Sequence, residues 1–359
     1  MSPGEVTQPR GSRRLLRTVM WVGGIAIIVG ILVPAVLMTL QRQALRQARQ
    51  NHPPPGAMIP VDGTSMHLHC EGESEPGGPT VVIDAGNASM ALDWVGIQRR
   101  LSPNYRTCIY DRAGYGWSSA RPGPRDADHV VEELRTLLSE AGEDEPVLLI
   151  GHSLGGVHAR LYAARYRDDV AGLILVDTAT DHVFSEAFAS TQRTSMGFYE
   201  MMRFLVGSGL LRVVVPLIGE GAIPPVARAL PGDVQAAYVA LLLDPTYYET
   251  ALAESQMLQT SVRQANAALV GEIPLGDMPL IVLTAALRAP EGPNPHSDER
   301  LPADPDEVAA QGVLARLSSR GERRMLGQSG HLVQLDAPEA IVAAVDDVYA
   351  MVMQGEGVR

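Results

Sequence analysis

The chain of 359 residues contains no lysine; all 29 of its basic residues are arginine, which we read as a compositional bias that assigns no mechanism. Cysteine is nearly absent: Cys70 and Cys108 stand far apart, with no CxxC and no neighbouring histidine pair, and this excludes a zinc module. Positive charge is scarce beyond the first 57 residues. Those 57 hold seven arginines and one acid, Glu5, and the remainder carries 22 basic against 40 acidic residues, a net of −18. A domain that acidic repels phosphate backbones, so nucleic acid is excluded as a partner. Collagen-like and low-complexity bias are also missing. What is present is 46% hydrophobic residues with 35 glycines and 26 prolines, the composition of a globular chain with many turns and a substantial core.

One stretch has no charge at all. Thr18 to Leu40 runs 23 residues without an acid or a base, and as a helix at about 1.5 Å per residue it spans roughly 34 Å, enough to cross a bilayer. Four arginines precede it and three follow, a slight bias toward a cytoplasmic N-terminus that would place the rest of the chain outside the cytoplasm. The segment QRQALRQARQ continues as a polar helix, and NHPPPGA then forces extended backbone. The expected organisation is a basic tail at 1–17, a single membrane span at 18–40, a polar and proline-rich linker at 41–57, and a catalytic domain at 58–359.

Beyond Met58, short β-branched runs alternate with amphipathic stretches. Strands are expected at 65–70, 80–84, 107–110, 147–150, 172–176, 280–284 and 323–326, and helices at 127–141, 154–167 and 338–353. Runs such as VLLI and LILV are apolar on both faces, as in central strands of a parallel sheet covered by helices. The fold class is α/β. Between about 178 and 278 the rhythm gives way to helical sequence, read as a helical lid over one end of the sheet.

VLLIGHSLGG sets Gly151-His152-Ser153-Leu154-Gly155 between a strand and a helix. A turn that sharp forces its central serine into a strained conformation and tolerates only small residues two positions away. Ser153 is therefore the candidate nucleophile. With YDRAGYGWS at 110–118 and SGHLVQLDAPE at 329–339, the chain resembles the α/β-hydrolase superfamily over roughly 58–352, with GHSLGG similar to the elbow of esterases, lipases and thioesterases.

The resemblance implies roles for other residues. His331, in a small-residue turn after the last strand, stands where the family keeps its general base. The acid is implied at Asp177, after the sixth strand, as in branches resembling haloalkane dehalogenases. The loop after strand seven offers Asp298 as the alternative, with Glu291 and Asp304 only if it folds back. The oxyanion hole falls to the amides of Leu154 and Asn87, where DAGNAS replaces the family's usual HG pattern. Asp111, Arg112, His152, His158 and His296 are read as structural.

The expected function is a membrane-anchored serine hydrolase that cleaves an ester or related acyl bond through an acyl-enzyme, without metal or cofactor, on a small and apolar acyl substrate. Carbon–carbon bond hydrolysis, perhydrolysis and a catalytically silent receptor are the alternatives. In the resembled fold the second and fourth strands are neighbours, so Cys70 and Cys108 can form a disulfide, which suits an oxidising compartment.

Overall fold

The computed structural model describes residues 10–218, 225–288 and 301–356. Among the described residues ten strands follow one another: β1 (Ala57–Val61), β2 (Thr64–Glu71), β3 (Val81–Asp84), β4 (Thr107–Tyr110), β5 (Val147–His152), β6 (Val170–Val176), β7 (Leu280–Ala285), β8 (Leu287–Arg288), β9 (Leu301–Pro302) and β10 (Gly321–Leu326). Eight of them form one sheet in the order β1-β2-β4-β3-β5-β6-β7-β10, while β8 and β9 pair by themselves. From β4 to β10 every neighbouring pair is parallel, and β1 and β2 close one edge antiparallel.

The helices are α1 (Arg10–Asn51), α2 (Val95–Leu101), α3 (Ala127–Glu140), α4 (Leu154–Arg165), α5 (Glu186–Gly207), α6 (Leu210–Ile218), α7 (Pro225–Ala229), α8 (Gly232–Leu242), α9 (Pro245–Ala268), α10 (Pro305–Leu314), α11 (Val333–Asp336) and α12 (Pro338–Glu356). β3 to β5 and β7 are buried at every position, because α3 and α4 cover one face of the sheet and α2 and α12 the other. Their near-continuous apolar runs are the sequence trace of this double cover. Local chemistry sets several boundaries: Asp126 caps α3 by accepting from the His129 N–H at 3.2 Å, and Asp244 caps α9 ahead of Pro245.

The expected strands all form, extended by one or two residues at several ends, with the one expected at 80–84 starting a residue later, and β1, β8 and β9 are additional. The expected lid is α5 to α9, with its own core of Tyr238, Leu241, Tyr247 and Tyr248 packed on Tyr115 and Trp117 of the β4 loop. Cys70 and Cys108 face each other in the β2–β4 ladder, with Cα atoms 4.0 Å apart, and are joined as a disulfide.

Two expectations at the N-terminal end change. Residues 18–40 lie within α1, but among the described residues no helix is long and apolar enough to cross a membrane. Nor is 41–57 a free linker. Helix α1 continues to Asn51, Gln41 donates to the Leu243 carbonyl at 2.7 Å, and the Trp117 indole donates to the His52 carbonyl at 2.9 Å. Glutamines and arginines spaced along a helix find acceptors on the lid, so the segment docks.

Candidate active site

Ser153 sits between β5 and α4 at φ 53 and ψ −117, in the left-handed half of backbone space that a non-glycine residue occupies only under tertiary constraint. Its neighbours explain how the turn closes. A Cβ on Gly151 would come within 2.6 Å of the Gly155 carbonyl oxygen, and one on Gly155 would strike the Asp84 carbonyl. Ser153 stands at the N-terminus of α4, whose first free N–H belongs to Leu154 and whose dipole favours negative charge. Among the described residues Ser153 Oγ has no hydrogen-bond partner, leaving it open to a substrate.

A cavity of about 330 Å³ brings Ser153, His331 and Asp177 together with Asn87 and Leu154. His331 Nδ1 lies 2.6 Å from Asp177 Oδ2. An ionised carboxylate only accepts, so Nδ1 carries the proton and Nε2 keeps its lone pair, the tautomer a general base requires. Burial would raise the Asp177 carboxyl, but the hydrogen bond and charge of His331, the charge of Arg288 and the bond from Gln311 hold it at about 2. Its Oδ1 accepts from the Ala285 N–H at 3.0 Å and from Gln311 Nε2 at 2.9 Å, and Arg288 Nη2 lies 3.0 Å from Oδ2. Arg288 is itself paired with Glu307 at 2.9 Å.

His152 is buried behind the base, its ring centroid 4.7 Å from that of His331. Burial first, and then the charge of His331, lowers its pKa to about 3. The neutral ring donates from Nε2 to the His331 carbonyl at 2.8 Å, since a carbonyl can only accept. His152 thus fixes the backbone of the base.

The loop after β3 is clamped from behind. Arg112, fully buried, donates to the Ala85 carbonyl at 2.6 Å and the Gly86 carbonyl at 2.7 Å, and pairs with Asp84 at 2.8 Å. Glu254 of the lid helix α9 holds the other side of the guanidinium at 2.8 and 2.9 Å and also accepts from Tyr115. With the Ala85 and Gly86 carbonyls turned toward Arg112, the Asn87 segment is left at the cavity. The Asn87 amide side chain donates to the Ala251 carbonyl of α9 at 3.1 Å. His158 bonds Asp84 at 3.0 Å, and Asp111 receives the Ala91 N–H at 2.8 Å. Asp111, Arg112, His152 and His158 therefore all occupy the supporting positions read for them.

Asp298, Glu291 and His296 lie outside the described residues, and Asp304 is spent capping α10. The sequence reading missed Arg288, Glu307, Gln311 and Glu254. Arg288 left a signal, because it follows β7 directly, in the loop searched for a carboxylate. Glu254 left none, being one acid among several in an unremarkable helical pattern.

The chain has the α/β-hydrolase fold, and its residues 79–219 match the family model described as alpha/beta hydrolase fold. The "Probable transporter efuK" of Hormonema carpetanum is 38% identical over 114 residues, which cover 31% of this chain and 16% of that protein. An AB hydrolase superfamily protein of Gibberella zeae is 26% identical over 289 residues, 77% of this chain and 88% of its own length. The chain spans half or less of the first curated relatives it matches. Among solved structures, an enol-lactonase from Burkholderia xenovorans superposes with a TM-score of 0.55 at 19% identity, covering 82% of this chain and all of its own.

Proposed function

We propose that the protein is a membrane-anchored serine hydrolase that cleaves a carboxylic ester or related acyl bond through an acyl-enzyme. The observation that carries the reading is the strained Ser153 sharing one cavity with His331, whose Nδ1 is held by Asp177 at 2.6 Å. His331 Nε2 takes the Ser153 proton as Oγ attacks the carbonyl carbon. The Leu154 and Asn87 amides receive the oxyanion, and His331 then returns the proton to the leaving alcohol. Water activated through His331 releases the acyl group from Ser153, while Asp177 stabilises the imidazolium formed in both halves.

The anchor is α1. It rests on the 23 uncharged residues of 18–40 and on exposed apolar side chains along the helix, from Trp21, 73% exposed, to Leu40 at 52%. The disulfide favours a site facing an oxidising compartment. A fluorophosphonate probe should label the protein and lose its target in Ser153→Ala, and p-nitrophenyl esters of graded chain length should be turned over. Labelling that survives in folded Ser153→Ala overturns the mechanism.

A further inference from the structure

We infer that the outer face of the lid around Phe204, Leu210 and Val213 is a membrane-contact surface, so that the cavity beneath takes an acyl substrate dissolved in the bilayer. The inference rests on the hydrolase and anchor reading above and deepens it.

Helix α5 has two working faces. Thr191, Gln192, Ser195 and Tyr199 line the cavity. Phe198, Met201 and Phe204, three residues apart and therefore on one side of the helix, are 46%, 51% and 70% exposed. Leu210 and Val213 of α6 extend this apolar side after the turn at Gly209. An apolar patch of this kind marks an interaction site.

Its occupant follows from what lies beside it. Gly209, at φ 77, packs against α1 so closely that a Cβ there would come within 2.6 Å of the Leu37 carbonyl oxygen. One turn on, buried Gln41 donates to the Leu243 carbonyl and accepts from Arg212 Nε at 2.6 Å, and Arg49 reaches Asp244 at 3.2 Å. The lid is thus bonded to α1 where the uncharged run ends, since Arg42 is the first charge after Leu40. At about 1.5 Å per residue, Leu37 lies roughly 5 Å inside that boundary. Phe204, Leu210 and Val213, within five residues of Gly209, flank this contact. Apolar side chains at that level enter the boundary between headgroups and acyl chains, where surface-lying helices bury their faces by about 5–10 Å. A helix whose one face touches the bilayer and whose other lines the cavity gives a bilayer-dissolved ester a short path to Ser153.

The test uses the full chain in phosphatidylcholine vesicles containing lipids brominated on the acyl chain. In the parent chain, emission from Trp21 should be quenched, assigned by its loss in Trp21→Phe. Phe204→Trp should add emission that is also quenched. Quenching of Trp21 without quenching at position 204 overturns the lid surface and leaves the anchor standing; no quenching at either overturns both. In kinetics, Phe204→Ser with Leu210→Ser should lower turnover of a long-chain ester embedded in vesicles by about tenfold, from the loss of two inserted apolar groups, and leave p-nitrophenyl acetate within about twofold. Equal loss on both esters, or none, overturns the proposal. A parent chain inactive on both esters counts against the hydrolase reading, and the quenching result then decides the surface by itself.

Discussion

Asp177 meets two opposite demands, orienting His331 and sharing its charge with Arg288. Because Asp177 is held at about 2 and His152 is lowered to about 3, neither changes charge across the neutral range. Among the described residues, the charged and titratable groups facing this pair are Arg288, Glu307 and His152. Arg288 diverts part of the Asp177 charge from the imidazolium. Its removal strengthens Asp177 toward His331⁺, favours the protonated and inactive base, and moves the acid limb upward. Arg288→Met should therefore shift the midpoint of kcat/KM to higher pH by about half a unit to one unit, and Glu307→Gln, which frees the arginine charge, should shift it lower. A merely structural role would lower the rate without moving the midpoint. Profiles of both variants that overlay the parent's would refute the arrangement.

At the scale of elements, the contact to watch is between the lid helix α9 and the loop after β3. Glu254 is wholly buried and holds that loop chiefly through Arg112, with Asn87 Nδ2 at 3.5 Å and the Tyr115 hydroxyl, which accepts from the Ala88 N–H, as further links. Arg112 turns two successive carbonyls away from the cavity, and an oxyanion hole depends on donors fixed before the charge develops. Glu254→Gln keeps the shape, weakens the pairing and loosens the loop. Its kcat should fall by at least about tenfold with KM within about twofold, because the oxyanion exists only in the transition state. Steady-state kinetics on one soluble ester decide this, and a change confined to KM would place Glu254 in substrate binding. Removing one partner of a buried pair also destabilises, by about 3–5 kcal/mol, so the variant's urea midpoint should fall as well.

For the whole molecule, the N-terminal segment is more than a tether. Gln41 and Arg49 bond the lid, and His52 and Pro55 bond the body through Trp117 and His67. A chain beginning at Met58 keeps the eight-stranded sheet but loses every one of these contacts. Hydrogen exchange should quicken in α6 and α8, which lose their partner, while β5 to β7 keep their protection. Uniform protection in the two chains would mean that the docking contributes nothing to lid order.

The sequence by itself determined the parts whose cause is local. Strands buried on both faces need apolar runs, a strained elbow needs Gly151 and Gly155 around Ser153, and helix starts need Asp126 and Asp244, so each left a pattern in its own few residues. Cys70 and Cys108 were legible as a pair once strand order was expected. Only the tertiary structure decided which charges meet. Arg288 and Gln311 reach Asp177 across more than 100 residues of chain, Glu307 joins them only through Arg288, and Glu254 reaches Arg112 across 142. Nothing in a single charged residue's neighbours records its partner, because an ion pair depends on distance in space alone. The same holds for α1: its glutamines and arginines read as a solvated linker until the lid supplied their acceptors, since a polar side chain satisfied by water and one satisfied by protein look alike in sequence.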